Sequence, residues 1–187
     1  MKKVYLLLNL SILFTVSTIA QTDYLYIKGP MYVGLDLGFS QHQYLPIGFH
    51  IGSGSMQYGV TVGLPVNKGV KGEYYSNINW DEYPEDIIAE GEYFTPFTFD
   101  VGYNVYGGLV IGAGLGYAYK THYRNMFDEL HILGYNGRYN ISVRGDGEME
   151  YKAFVSYYIP SERTASLYLK GYYSNIMGIG LSLGFSI

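Results

Sequence analysis

The chain has 187 residues with a formal net charge of −4, and its 16 acidic against 12 basic residues exclude the electrostatic footprint of a nucleic-acid partner. It contains no cysteine, which excludes disulfides and cysteine-ligated metal centres. It is 48% hydrophobic and rich in Gly (25) and in Tyr (23), a residue of high β-propensity.

At the N-terminus, Lys2 and Lys3 precede an apolar stretch over 4–19 that ends in Ala20 before Gln21. This is the pattern of a secretory leader, with cleavage predicted between Ala20 and Gln21. Asn9, Ser11 and Thr15 interrupt the stretch, and it is short of the roughly 20 apolar residues of a spanning helix. Losing Lys2 and Lys3 takes the formal charge from −4 to −6. The remainder, 21–187, is predicted to be one domain. No later stretch is apolar enough for a spanning helix, so a membrane crossing would require a closed barrel, in which every backbone polar group finds a partner.

Period-two alternation then recurs along the chain, as expected when successive side chains face opposite sides of a strand. The segments are 33–40, 45–52, 56–64, 97–104, 109–120, 149–159, 165–173 and 177–187. The second is the weakest, being short and carrying Pro46. In the last, Met177, Ile179, Leu181, Leu183, Phe185 and Ile187 alternate with Gly178, Gly180, Ser182, Gly184 and Ser186. An apolar face opposite a face of Gly and Ser suits lipid outside and a narrow lumen inside. The fold class predicted is all-β, an antiparallel up-and-down transmembrane barrel of eight strands. The alternative is ten, if 66–75 and 139–143 are also wall strands and Asp146-Gly147 is a tight hairpin turn.

With the N-terminus taken as periplasmic, the turns at 53–54, 105–108 and 160–163 fall on that side. The two longest connections, 65–92 and 122–148, fall together on the outer side, as in outer-membrane barrels. Tyrosine is expected in girdles at the two lipid–water interfaces. One girdle comprises Tyr32, Tyr103, Tyr106, Tyr157 and Tyr158; the other comprises Tyr44, Tyr93, Phe94, Tyr119, Tyr123 and Tyr173.

The leader ending Ala20-Gln21, the glycine alternation Gly112 to Gly116 and the closing segment 177–187 resemble the small outer-membrane β-barrels of Gram-negative bacteria, the OmpA-type and PorT-like barrels frequent in Bacteroidetes. The resemblance implies residence in the cell outer membrane, contact with its lipid and lipopolysaccharide, and insertion by the barrel-assembly machinery. Closing strands of that family usually end in an aromatic residue, whereas this one ends Phe185-Ser186-Ile187 with the phase kept. The resemblance implies no particular activity.

Alternation points Asp36, His50, Asp100, Lys120, Glu150, Lys152 and Lys170 into the lumen. In a bore that side chains fill, opposite charges are expected to pair and offset lost hydration; a narrow pore is the functional alternative. A lipid-modifying enzyme is a second alternative, but no His is followed by Ser two positions later, the pair that the lipid A deacylases carry. Neither a metal motif nor a nucleotide loop is present, and no cofactor and no catalysis are expected. Loop 65–92 carries Trp80, Asp81, Glu82, Tyr83, Glu85 and Asp86, an aromatic–acidic surface suited to another envelope protein. Arg144-Gly145-Asp146 in 122–148 matches an adhesion tripeptide, a match short enough to arise by chance. The function expected is a structural or interaction role, through 65–92 and 122–148 or as a subunit of an envelope complex.

Overall fold

The computed structural model describes residues 31–76, 78–81, 83–159 and 165–187. The leader over 1–20, its cleavage site at Ala20 and Gln21, and Glu82 lie outside the described residues. The strands are β1 (Tyr32–Ser40), β2 (Tyr44–Ser53), β3 (Met56–Pro65), β4 (Glu73–Tyr74), β5 (Ile87–Tyr106), β6 (Leu109–Phe127), β7 (Arg138–Arg144), β8 (Glu148–Tyr158), β9 (Ser166–Ser174) and β10 (Gly178–Ser186). Among the described residues, eight of these close an antiparallel up-and-down wall in the order β1-β2-β3-β5-β6-β8-β9-β10. The seam joins β10 to β1 from Gly34↔Ser186 to Ser40↔Gly180. Val33 and Ile187 extend it by exchanging both backbone hydrogen bonds at 2.9 Å.

Alternation sorts the side chains between the two faces of this wall. Leu35, Phe49, Phe99, Leu115, Val155, Leu169 and Leu183 are exposed on its outside, while Asp36, His50, Asp100, Lys152 and Lys170 are buried inside. A continuous apolar belt around a closed wall with a polar interior is the inverse of a soluble barrel, and its solvent is lipid. The bare faces of the strands are seats for large lumen side chains. On β10, a Cβ at Gly184 would run into the Tyr168 ring and one at Gly180 into the Tyr172 ring, and these tyrosines are the cross-strand partners of those two glycines on β9.

Both expected girdles lose members to this packing. Tyr32, Tyr44 and Tyr158 are buried inside the barrel, in one cluster with Val110, Phe154, Tyr168, Tyr172 and Met177, and Phe94 packs against it. Their parity explains this: Tyr32 shares its face with Gly34 and Asp36, and Tyr158 with Phe154 and Ser156. Tyr103, Tyr106, Tyr157, Tyr119 and Tyr173 do face outward.

The strands β5 and β6, 20 and 19 residues long, are about twice what a tilted crossing of the bilayer requires. Only the lower part of β6 belongs to the closed wall, where Leu109–Ala118 pairs with β8. Its upper part pairs with β7, from Thr121↔Arg144 to Phe127↔Arg138. β7 and β8 are therefore one strand bent at a bulge, in which residues 145–147 oppose Tyr119 and Lys120. The Gly145 N–H keeps the ladder going by donating to the Lys120 carbonyl at 3.0 Å. Asp146-Gly147 is thus no hairpin turn, and the ten-stranded alternative does not hold. Within 66–75 only Glu73–Tyr74 is strand, and it pairs in parallel with β7 outside the closed wall.

Much of 65–92 and 122–148, expected as loop, is consequently folded into a cap at the end opposite the two termini of the barrel. Met126, Tyr139 and Ile141 are its buried centre, with Tyr75, Ile78, Trp80, Ile87 and Leu133 packed around them. Asn125 pins the incoming chain by donating to the Gly69 carbonyl (2.9 Å) and accepting from the Lys71 N–H (2.7 Å). Asn140 donates to the Gly72 carbonyl at 2.8 Å.

Candidate functional site

The lumen brings six of the seven anticipated polar residues into the barrel interior, in two linked groups and a third near the cap. Asp100, from β5, accepts from Lys152 Nζ at 2.6 Å and Thr61 Oγ1 at 2.7 Å on one oxygen, and from Thr98 Oγ1 at 3.0 Å on the other. Lys152 also donates to Thr61 at 2.7 Å. Asp36, from β1, accepts from Tyr168 Oη at 3.0 Å and Lys170 Nζ at 3.3 Å. Lys170 links the groups, with its Nζ 4.0 Å from Asp100 and 5.0 Å above the Phe154 ring. His50 lies between two phenols, Nε2 2.9 Å from Tyr158 Oη and Nδ1 3.2 Å from Tyr168 Oη. Tyr158 in turn donates to Gln57 at 3.3 Å and stacks on Tyr168 at 4.7 Å between ring centroids.

This geometry holds charge in place. Asp36 and Asp100 each have a cation and at least one hydroxyl donor, the condition under which a buried ion pair becomes tolerable. Glu150 is wholly buried nearer the cap, where Ser174 Oγ donates to it at 2.6 Å. Lys120 is not part of either group. It stands at the rim, 3.3 Å from Glu92 and 3.9 Å from Glu148, while His122 lies 3.6 Å from the same Glu92. Sequence reasoning missed the tyrosines and threonines that complete the network, although parity alone places Tyr168, Thr61 and Thr98 on the lumen face.

The anticipated aromatic–acidic surface divides between packing and exposure. Trp80 packs against the cap cluster, with the Arg124 guanidinium 4.2 Å over its ring and donating to its carbonyl at 2.6 Å. Asp86 accepts from Tyr139 Oη at 3.1 Å. Burial, joined by this bond and by the negative charge of Asp86, pushes the Tyr139 phenol well above its ordinary range. Asp81, Tyr83 and Glu85 remain exposed. Pro84–Asp86 is a single 3-10 turn entered from Tyr83 in the left-handed region (φ 56°). At the cap's tip, Asp128 accepts from the N–H groups of Leu133 (2.9 Å), Leu130 (2.8 Å) and Ile132 (2.7 Å). These bonds, that from Leu133 above all, hold its carboxyl below the usual range.

A closed wall with a lipid belt, a filled polar lumen and a folded cap defines a small transmembrane β-barrel. No protein family and no curated protein matches the chain in sequence. In structure it is similar to a barrel from the de novo design of transmembrane beta-barrels, at 9% identity and a TM-score of 0.40, over 83% of this chain and 92% of that one. It is also similar to the N-terminal beta-barrel domain of OprF from Pseudomonas aeruginosa, at 16% identity and a TM-score of 0.33, over 84% of this chain and 96% of that one.

Proposed function

We propose that the chain is an integral outer-membrane protein of a Gram-negative envelope, and that it acts as a membrane-anchored platform presenting its cap to another envelope component. The observation carrying this reading is the cap's own hydrophobic centre around Met126, Tyr139 and Ile141. A loop that only closes a barrel has no need of strands projecting beyond the bilayer or of a buried cluster to hold them. The leader over 1–20 supports export with cleavage between Ala20 and Gln21. The in-phase closing strand supports insertion by the barrel-assembly machinery, as in OmpA-type and PorT-like barrels. Against the pore alternative stands the packing of Phe154, Tyr158, Tyr168 and Tyr172 within the bore, where eight strands leave room for side chains alone.

Cell fractionation with a heat-dependent gel shift tests the membrane assignment: the protein is expected in the outer-membrane fraction and to migrate faster unheated. Release without detergent would sink it. Crosslinking from the cap tests the platform. Wild type is expected to capture a defined envelope protein, and the charge-reversed Asp81→Lys/Glu85→Lys variant to lose it while keeping the gel shift. Planar-bilayer recordings of the folded protein are expected to show no discrete openings.

A further inference from the structure

On the outside of the wall, where the cap meets the lipid belt, lies a groove of about 580 Å³ lined by Tyr74, Tyr93, Thr95, Tyr119, Thr121 and Arg144, among others. Its height follows from the strand. Tyr119 is the eleventh residue of β6, counted from Leu109 at the terminal end. At about 3.3 Å per residue and a tilt near 40°, that distance is roughly the 25 Å of an apolar band. Directly below, Leu115, Phe97 and Phe99 are exposed on the same outer face. A lipid whose chains lie along those residues has its headgroup in the groove.

The lining has the chemistry for a particular headgroup. The Arg144 guanidinium lies 4.5 Å from the Tyr119 ring centroid, and Lys68, outside the lining itself, has its Nζ 5.0 Å from that of Tyr93. Other cations at this level are already paired, Lys120 with Glu92 and Glu148, and Arg124 with Glu90. Among the described residues Arg144 has no carboxylate within 4.0 Å. In an acidic chain, an unpaired guanidinium braced on an aromatic face at headgroup depth is a phosphate site, because its N–H edge matches phosphate oxygens in a bidentate fashion. The threonine hydroxyls of Thr95 and Thr121 supply adaptable hydrogen bonds, and the rings of Tyr74 and Tyr93 supply flat surfaces for the apolar faces of a sugar.

We infer that this groove binds the phosphorylated sugar headgroup of an outer-leaflet glycolipid, with Arg144 holding the phosphate. The inference rests on the outer-membrane reading above. It is tested on the full chain refolded in detergent micelles, with native mass spectrometry reading retained lipid A, a phosphorylated disaccharide lipid. One lipid per barrel is expected, and binding about tenfold weaker for Arg144→Gln or for the dephosphorylated lipid, as loss of one charge-assisted contact implies. Tyr93→Leu, which leaves the charge alone, is expected to weaken lipid A but not phosphatidic acid, which has no sugar. Equal binding by wild type and Arg144→Gln, or indifference to the phosphate, would overturn the inference. Displacement of lipid A by millimolar inorganic phosphate would make the groove a soluble-anion site and overturn the lipid assignment. A gel shift kept without lipid binding refutes the groove alone, whereas a lost gel shift in wild type refutes the barrel beneath it.

Discussion

A buried lysine such as Lys152 is tolerable only because Asp100 and Thr61 sit within 2.7 Å of its ammonium. Lys152→Met leaves Asp100 buried without its nearest cation and is expected to destabilise the barrel by about 3–5 kcal/mol. Adding Asp100→Asn removes the uncompensated charge and is expected to restore a large part of that loss, read by urea unfolding in micelles. The glycine seats obey volume instead of charge. Gly184→Val thrusts a branched side chain into the Tyr168 ring, an overpacking that costs typically 1–3 kcal/mol. The Gly184→Val/Tyr168→Ala pair, which reopens the space, is expected to recover part of the heat-resistant fold.

Among the elements, the β5–β6 hairpin runs on beyond the barrel and carries β7 and β4 with it, and the contacts holding its cap are specific enough to test. Trp80 is the single tryptophan of the chain, so its emission reports the cap alone. Arg124→Ala removes the guanidinium from its ring and is expected to shift that emission to the red and raise its quenching by iodide, with the barrel's gel shift unchanged. The turn after β6 depends on ionised Asp128. Because its carboxyl titrates below the unfolded value near 4, the turn is stabilised above that value and loses this support as the pH falls through the folded one. Amide exchange at Leu130, Ile132 and Leu133 is expected to lose protection below about pH 4 in wild type. Asp128→Asn is expected to show little such pH dependence. The cap also explains why 65–92 and 122–148 read as loops. Above the lipid neither face of a strand meets hydrocarbon, so the apolar–small alternation that marks the wall disappears while the hydrogen-bonded ladder continues.

Over the whole molecule, what was legible in the residues follows the solvent on each side of the wall. Hydrocarbon outside and a narrow lumen inside impose period two on every wall strand, and that constraint is local. The eight segments, the seam between 33–40 and 177–187, the gathering of long connections at one end and the inward set of Asp36, His50, Asp100, Glu150, Lys152 and Lys170 are all readable from parity. Parity outweighs nearness to a strand end in placing a tyrosine, which is why Tyr32, Tyr44 and Tyr158 fill the lumen and do not join a girdle. What parity leaves open is which inward group meets which. Lys152 and Lys170 share a face, yet Lys152 closes on Asp100 and Lys170 on Asp36, because strand stagger sets heights that no single strand encodes. Lys120 has the inward phase too, but its height at the rim gives it to Glu92 and Glu148. The bulge at 145–147, the cap's buried centre and the groove beneath it likewise arise only when β5, β6 and β7 stand side by side. Alternation belongs to one strand and its two solvents, whereas pairing, filling and the outer site belong to strands far apart in the chain.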